Sequence, residues 1–203
     1  MRKTASEILY DLEVRVASLE EDSALESLRQ MAEDRMSRYQ GSKVTLRKGQ
    51  KKVGIRTPFA TFFIRLEGDS YRVSVDFTSV QASNALALLE GIEELNDTIK
   101  NNGGVKIGLL PLGKLKGTEG SSMDNIGVFI NLLKQRYGRN VGYSNYRLTA
   151  NLGYMTYSFA SIENDGLYAI PQGLGIMLCD NAPEAIYAVE SVLKATVKLY
   201  LLR

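Results

Sequence analysis

Histidine and tryptophan are absent from this 203-residue chain, and cysteine occurs once, at position 179. Without histidine there is no serine-histidine or cysteine-histidine pair for nucleophilic catalysis. With Cys179 alone, the chain also lacks the ligand sets of zinc, haem and iron-sulfur centres, so neither a metal nor a cofactor is expected. A lone cysteine forms no intrachain disulfide, which fits a reducing compartment and suggests the cytoplasm. Long apolar runs are missing as well. The most apolar windows, 107–112 and 173–179, fall far short of the roughly 20 residues that cross a bilayer, and no membrane partner is expected. Arg2 and Lys3 are followed by Glu7, Asp11 and Glu13 rather than by an apolar signal-peptide stretch. Carboxylates, lysine and tyrosine remain as acid-base groups, which keeps an enzyme in third place.

Acidic residues are missing from one long segment. The chain holds 25 basic and 23 acidic side chains, but their distribution is uneven. Residues 1–34 carry four basic and nine acidic groups, whereas residues 35–66 carry nine basic groups and no acidic one. Those nine are Arg35, Arg38, Lys43, Arg47, Lys48, Lys51, Lys52, Arg56 and Arg65. A cationic segment of this density predicts a polyanionic or acidic partner.

The hydrophobic period divides the chain at Gly41. Before it, Thr4 with Glu7 and Ser23 with Glu26 match capping boxes, and Ile8, Leu12, Val16 and Leu19 keep helical spacing. Two helices are predicted, over about 4–20 and 23–40, with Glu20-Glu21-Asp22 as the turn or a kink between them. This N-terminal helical hairpin is read as an oligomerisation or docking element, with Ile8, Leu12, Val16 and Leu19 as its contact stripe. After Gly41 the period becomes two. Val44 and Leu46 alternate with Lys43, Thr45 and Arg47, and Val53 and Ile55 alternate with Lys52, Gly54 and Arg56, which predicts a hairpin. The sets Phe62-Ile64-Leu66 and Tyr71-Val73-Val75-Phe77 extend it to a four-stranded meander. Helices are predicted over 80–100, 124–137 and 183–202, the last capped at Asn181, with a short strand at 105–110 and strand-rich sequence over 144–178. The turn Asn164-Asp165-Gly166 is a hairpin signal within it. Because strands and helices do not alternate, the fold class is α+β. The reading is an N-terminal helical hairpin, residues 1–40, followed by a mainly antiparallel sheet with helices packed on one face, residues 41–203.

The opening segment Thr4-Ala-Ser-Glu-Ile-Leu-Tyr-Asp-Leu-Glu-Val-Arg-Val-Ala-Ser-Leu-Glu20 resembles an N-terminal helical segment found on assorted tailed-bacteriophage proteins, mostly of unknown function. The resemblance covers about 17 residues and implies a phage-encoded protein working in a bacterial cytoplasm or carried in a virion. It carries no catalytic residue over to this chain.

Alternation across the predicted hairpin puts Lys43, Arg47, Lys52 and Arg56 on one face, with Lys48 and Lys51 in the connecting loop. Like charges facing each other across strands repel, and a polyanion would relieve that repulsion. Exposed lysines also guard edge strands against aggregation, and the acidic first helix offers a partner within the chain. A second acid-free stretch, 125–162, interleaves Arg136 and Arg139 with tyrosines, a pattern suited to phosphate contact with base stacking. The loop 113–122 lacks the spacing of a P-loop. Asp76 is read as an ion-pair partner of Arg72, and Cys179 as a buried apolar residue. The function expected from these features is a non-enzymatic, oligomeric binding or assembly protein that contacts nucleic acid or an acidic protein. A virion structural or host-interaction component is the alternative, and an enzyme on a phosphorylated small molecule the third reading.

Overall fold

The computed structural model describes residues 5–77, 80–82, 84–107, 125–138, 141–144, 147–162, 166–171 and 175–201. The predicted loop 113–122 and the turn residues Asn164 and Asp165 lie outside them. The chain begins with α1 (Ala5–Met36), followed by β1 (Lys43–Arg47), a short 3-10 turn (Lys48–Gln50) and β2 (Lys52–Arg56). Next come β3 (Ala60–Glu67), β4 (Ser70–Phe77), β5 (Val80–Ala82) and α2 (Ala85–Asn101). The remaining elements are α3 (Asn125–Tyr137), β6 (Val141–Ser144), β7 (Arg147–Asn151), β8 (Thr156–Ile162), β9 (Gly166–Pro171), β10 (Gly175–Cys179) and α4 (Ala182–Tyr200). The class is α+β, as the element order implied, and every named strand pair is antiparallel.

The strands form two sheets, ordered β1-β2-β3-β4-β10 and β5-β9-β8-β7-β6. The meander predicted from alternation is the first four strands of the first sheet. Its fifth strand arrives from the far end of the chain, with Gly175, Met177 and Cys179 opposite Val75, Val73 and Tyr71. On one face of this sheet Val53, Ile55, Phe62, Ile64, Val73, Val75 and Met177 are buried together with Leu88, Leu89 and Ile92 of α2 and Val189, Val192 and Leu193 of α4. Val44 and Leu46 of β1 are partly buried against the same cluster. Burying a side chain of this kind is worth about 1.5–3 kcal/mol, so the apolar face fixes the sheet's orientation to the helices. The side chains that alternate with it stand on the opposite face. Residues 104–107 tie the two sheets together, since the Val105 amide donates to Ile176 (2.8 Å) and the Ile107 amide to Gly153 (2.7 Å).

α1 is one continuous helix of 32 residues rather than the helical hairpin predicted from the acidic triplet. Glu20, Glu21 and Asp22 contain no glycine or proline to break the backbone, and Ala24, Leu25 and Glu26 that follow are good helix formers. The helix has two halves of different character. Leu25, Leu28, Ala32 and Met36 are fully buried in the common core. Leu9, Tyr10, Leu12, Val14, Val16 and Leu19 are exposed. The predicted helix at 80–100 is also shorter than expected, because β5 takes Val80–Ala82 and Asn84 caps α2 by accepting from the Ala87 amide (3.0 Å). Asn181 caps α4 as predicted, accepting from the Glu184 amide (2.9 Å).

A buried carboxylate fastens α1 to α4. Glu190 accepts from Arg35 Nε (2.6 Å) and from the Tyr39 hydroxyl (3.0 Å), and pairs with Lys194 (3.0 Å). Its side chain is only 6% exposed. Burial alone would push this carboxyl up, but the hydrogen bonds from Lys194, Arg35 and Tyr39 outweigh it and hold the group at about 2. A carboxylate depressed on folding contributes stability above its unfolded value, near 4.5, and loses it as pH falls toward 2. Glu190→Gln is expected to cost about 2 kcal/mol at neutral pH. Urea titrations should show that difference shrinking as pH is lowered through this window. Leu28→Ala is expected to cost about 2–5 kcal/mol, and deleting residues 1–20 far less. Thermal unfolding of the two variants checks that the core begins within α1.

Candidate nucleic-acid interface

The outward face of the first sheet is built by register. Arg47 faces Lys52, Lys52 faces Arg65, and Arg65 faces Arg72, so four cations form one row across β1, β2, β3 and β4. The row ends on β10 at Leu178, which is exposed. A parallel row holds Lys43, Arg56, Thr61 and Asp76. Between them run Thr45, Gly54, Phe63, Ser74 and Ile176. Neighbouring strands lie about 4.8 Å apart, so each cation in a row stands within strong repulsive reach of the next.

Phe63 occupies the middle of this face on the central strand. The Lys52 ammonium lies 4.5 Å from its ring centroid and the Arg47 guanidinium 5.8 Å. Its cross-strand partner is Gly54, where a Cβ would stand 3.1 Å from Thr45 Oγ1 and 3.5 Å from the Phe63 ring. A side chain there would crowd Thr45 and touch the ring only at ordinary van der Waals distance. Partial burial, with the Arg65 and Arg47 charges beside it, lowers the Lys52 pKa from the ordinary lysine value.

Edge-strand protection and cover by the acidic helix account for part of these cations. Edge protection covers Lys43 and Arg47, because β1 is an edge strand. It does not cover Lys52, Arg56, Arg65 and Arg72, which stand on the interior strands β2, β3 and β4. Cover by the acidic helix is confined to the loop end, where Lys51 pairs with Glu21. The rest of α1 packs on the apolar side or projects away. Carboxylates on the strands of this face are Glu67 and Asp76. Arg72 reaches Glu67 at 3.4 Å, not Asp76 as expected from their shared strand.

Lys43, Arg47, Lys52 and Arg56 therefore share one face, whereas Lys51 pairs with Glu21 of α1 and Lys48 lies beside Glu26, so these two lysines are directed to the acidic helix and do not extend that face. Arg136 lies elsewhere. It pairs with Glu93 of α2, whose other oxygen accepts from the Tyr137 hydroxyl (2.6 Å), and α3 packs on α2 and the second sheet. Arg139 lies outside the described residues, as does the side chain of Ile8. Leu12, Val16 and Leu19 are exposed on the projecting half of α1.

Arg65, Arg72 and Phe63 were missed as site residues. Their signal was present, since Phe63 alternates with apolar neighbours on the same side as Thr61 and Arg65, an unusual place for an aromatic ring. Cys179 is buried, and burial with the nearby Glu184 and Asp180 raises its thiol to about 11, an unreactive value. On the helical side, a groove of about 800 Å³ is lined by Tyr39, Pro58, Phe59, Lys194, Val197 and Lys198. Its two lysines are already paired, with Glu190 and Glu94. Among the described residues no three cysteine or carboxylate side chains converge as a metal site, and no helix is long and apolar enough to cross a membrane. Compared with known proteins, the chain matches no family model, no curated protein and no solved structure.

Proposed function

We propose that this chain is a non-enzymatic binding protein whose outward sheet face contacts nucleic acid through its phosphates. The observation that carries the reading is the cross-strand row Arg47, Lys52, Arg65, Arg72, with Lys43 and Arg56 in the parallel row on the same face. Like charges aligned this way cost stability, about 0.2–1 kcal/mol for each facing pair, and a polyanion converts that repulsion into affinity. Counterion release would make the binding steeply salt-dependent and largely indifferent to base sequence. The resemblance of residues 4–20 to phage leader segments supports a phage-encoded protein that works in an infected bacterial cytoplasm or is carried in a particle.

The exposed apolar stripe of α1 favours a second element of the same reading, self-association. Leu9, Leu12, Val16 and Leu19 are spaced three, four and three residues apart, the spacing of a coiled-coil seam. The alternative, a virion or host-interaction component whose basic face meets an acidic protein, would use the same helix for docking. A stable protein complex without nucleic-acid binding would favour it.

Replacing Arg47, Lys52, Arg65 and Arg72 by glutamine leaves the apolar face intact and removes the cross-strand repulsion, so the variant should stay folded with an unfolding midpoint unchanged or raised. The slope of log affinity against log salt on a duplex should flatten by about 3 to 4 units. Parental behaviour of the variant, or no binding by the parent at low salt, would contradict the proposal. Deleting residues 1–20 should lower the solution mass measured by light scattering. An unchanged mass would remove α1 as the contact.

A further inference from the structure

We infer that the ligand of the outward face is single-stranded, with a base stacked on Phe63. This rests on the nucleic-acid reading above and adds to it the form of the strand. Three features of the face carry it.

The first is breadth. Five strands at about 4.8 Å spacing make a face roughly 19 Å across, and the major groove of duplex DNA is about 12 Å wide, enough for a helix or a two-stranded ribbon. A sheet this broad stays outside the groove and meets only the backbone of a duplex. A ring at the middle of the sheet would then touch no base. In a single strand the bases are free to turn toward the protein and stack on an aromatic side chain.

The second feature is the setting of the ring. Phe63 lies over Gly54, and Arg65 and Thr61 stand on either side of it along β3, each about 7 Å away at two residues' rise. A base on the ring therefore leaves its flanking phosphates near Arg65 and the cationic row on one side, and near Arg56 and Lys43 on the other. The Lys52 ammonium occupies the ring in the free protein, at 4.5 Å. Its flexible four-carbon stem lets it exchange the ring for a phosphate when a base arrives.

The third is the apolar margin. Leu178, 48% exposed, faces Arg72, and Ile176 faces Ser74, so apolar surface continues beyond the cations on β10. Exposed leucine in line with an arginine row suits the sugar or base of a neighbouring nucleotide better than it suits a purely charged polymer.

The test uses the full chain and three probes: a thymidine oligonucleotide, an abasic oligonucleotide of the same length, and a duplex. At matched salt the parent should bind the thymidine strand about 5- to 150-fold more tightly than the abasic one, and more tightly than the duplex. Phe63→Leu should close the gap between thymidine and abasic strands while leaving the salt slope unchanged. The chain has no tryptophan, so Phe63→Trp gives a single indole, whose fluorescence should be quenched by the thymidine strand and not by the abasic one. That variant keeps an aromatic ring and covers the case in which Phe63→Leu folds poorly. Equal affinity for thymidine and abasic strands, preference for the duplex, or an unquenched indole would overturn the stacking inference while leaving phosphate binding in place. Failure of the parent to bind any of the three would overturn both.

Discussion

A slip of one residue in any strand of the first sheet would turn cations into the helical layer and Ile55, Phe62 and Val75 out to water. Burial of the apolar face against α1, α2 and α4 forbids that slip, because the strand period is two and each misplaced side chain costs about 1.5–3 kcal/mol. The same constraint dictates the opposite face. Once Val53, Ile64 and Val73 are aligned inward, their neighbours Lys52, Arg65 and Arg72 have no choice but to align outward. The cationic row is thus a consequence of core packing, maintained although it repels itself. A fold selected for stability alone would be expected to alternate charge sign across these strands, as cross-strand pairs elsewhere commonly do.

The helical layer needs its own fastening, because α1 leaves the body halfway along its length. Its buried half contributes Leu25, Leu28, Ala32 and Met36, and the Glu190 cluster adds a polar clasp from Arg35 and Tyr39. Removing a carboxylate from water is costly, but here three donors satisfy it, the condition under which a buried charge is tolerated. The clasp sits at the end of α1 next to β1, so it also steadies the chain that leads into the cationic edge strand.

Local pattern made much of this legible. Alternation located β1 to β4 and the side on which Lys43, Arg47, Lys52 and Arg56 stand, and the Asn181 cap located the start of α4. Non-local pairing was not legible. Nothing in the sequence around Gly175–Cys179 tells that this strand closes the sheet begun more than a hundred residues earlier, or that the strands divide into two sheets. The helical hairpin failed because capping signatures at Ser23 and Glu26 also fit the interior of a helix when the neighbouring residues favour it. Phe63 was overlooked because periodicity treats every aromatic as a core residue, whereas its phase placed it with Thr61 and Arg65. Arg136 stood out by the composition of its own acid-free stretch, but its ion pair with Glu93 ties it to α2, and α3 packs against the second sheet.

The central claim is that the outward face of the first sheet, and not the helical side, meets the ligand. Amide chemical-shift mapping with a short single-stranded oligonucleotide at low salt tests it most directly. The account predicts shifts that track β1, β2, β3 and β4 around Arg47, Lys52, Phe63, Arg65 and Arg72, with the buried amides of α2 and α4 unmoved. Shifts centred on the groove beside Tyr39 and Lys194, or on the exposed half of α1 alone, would contradict it.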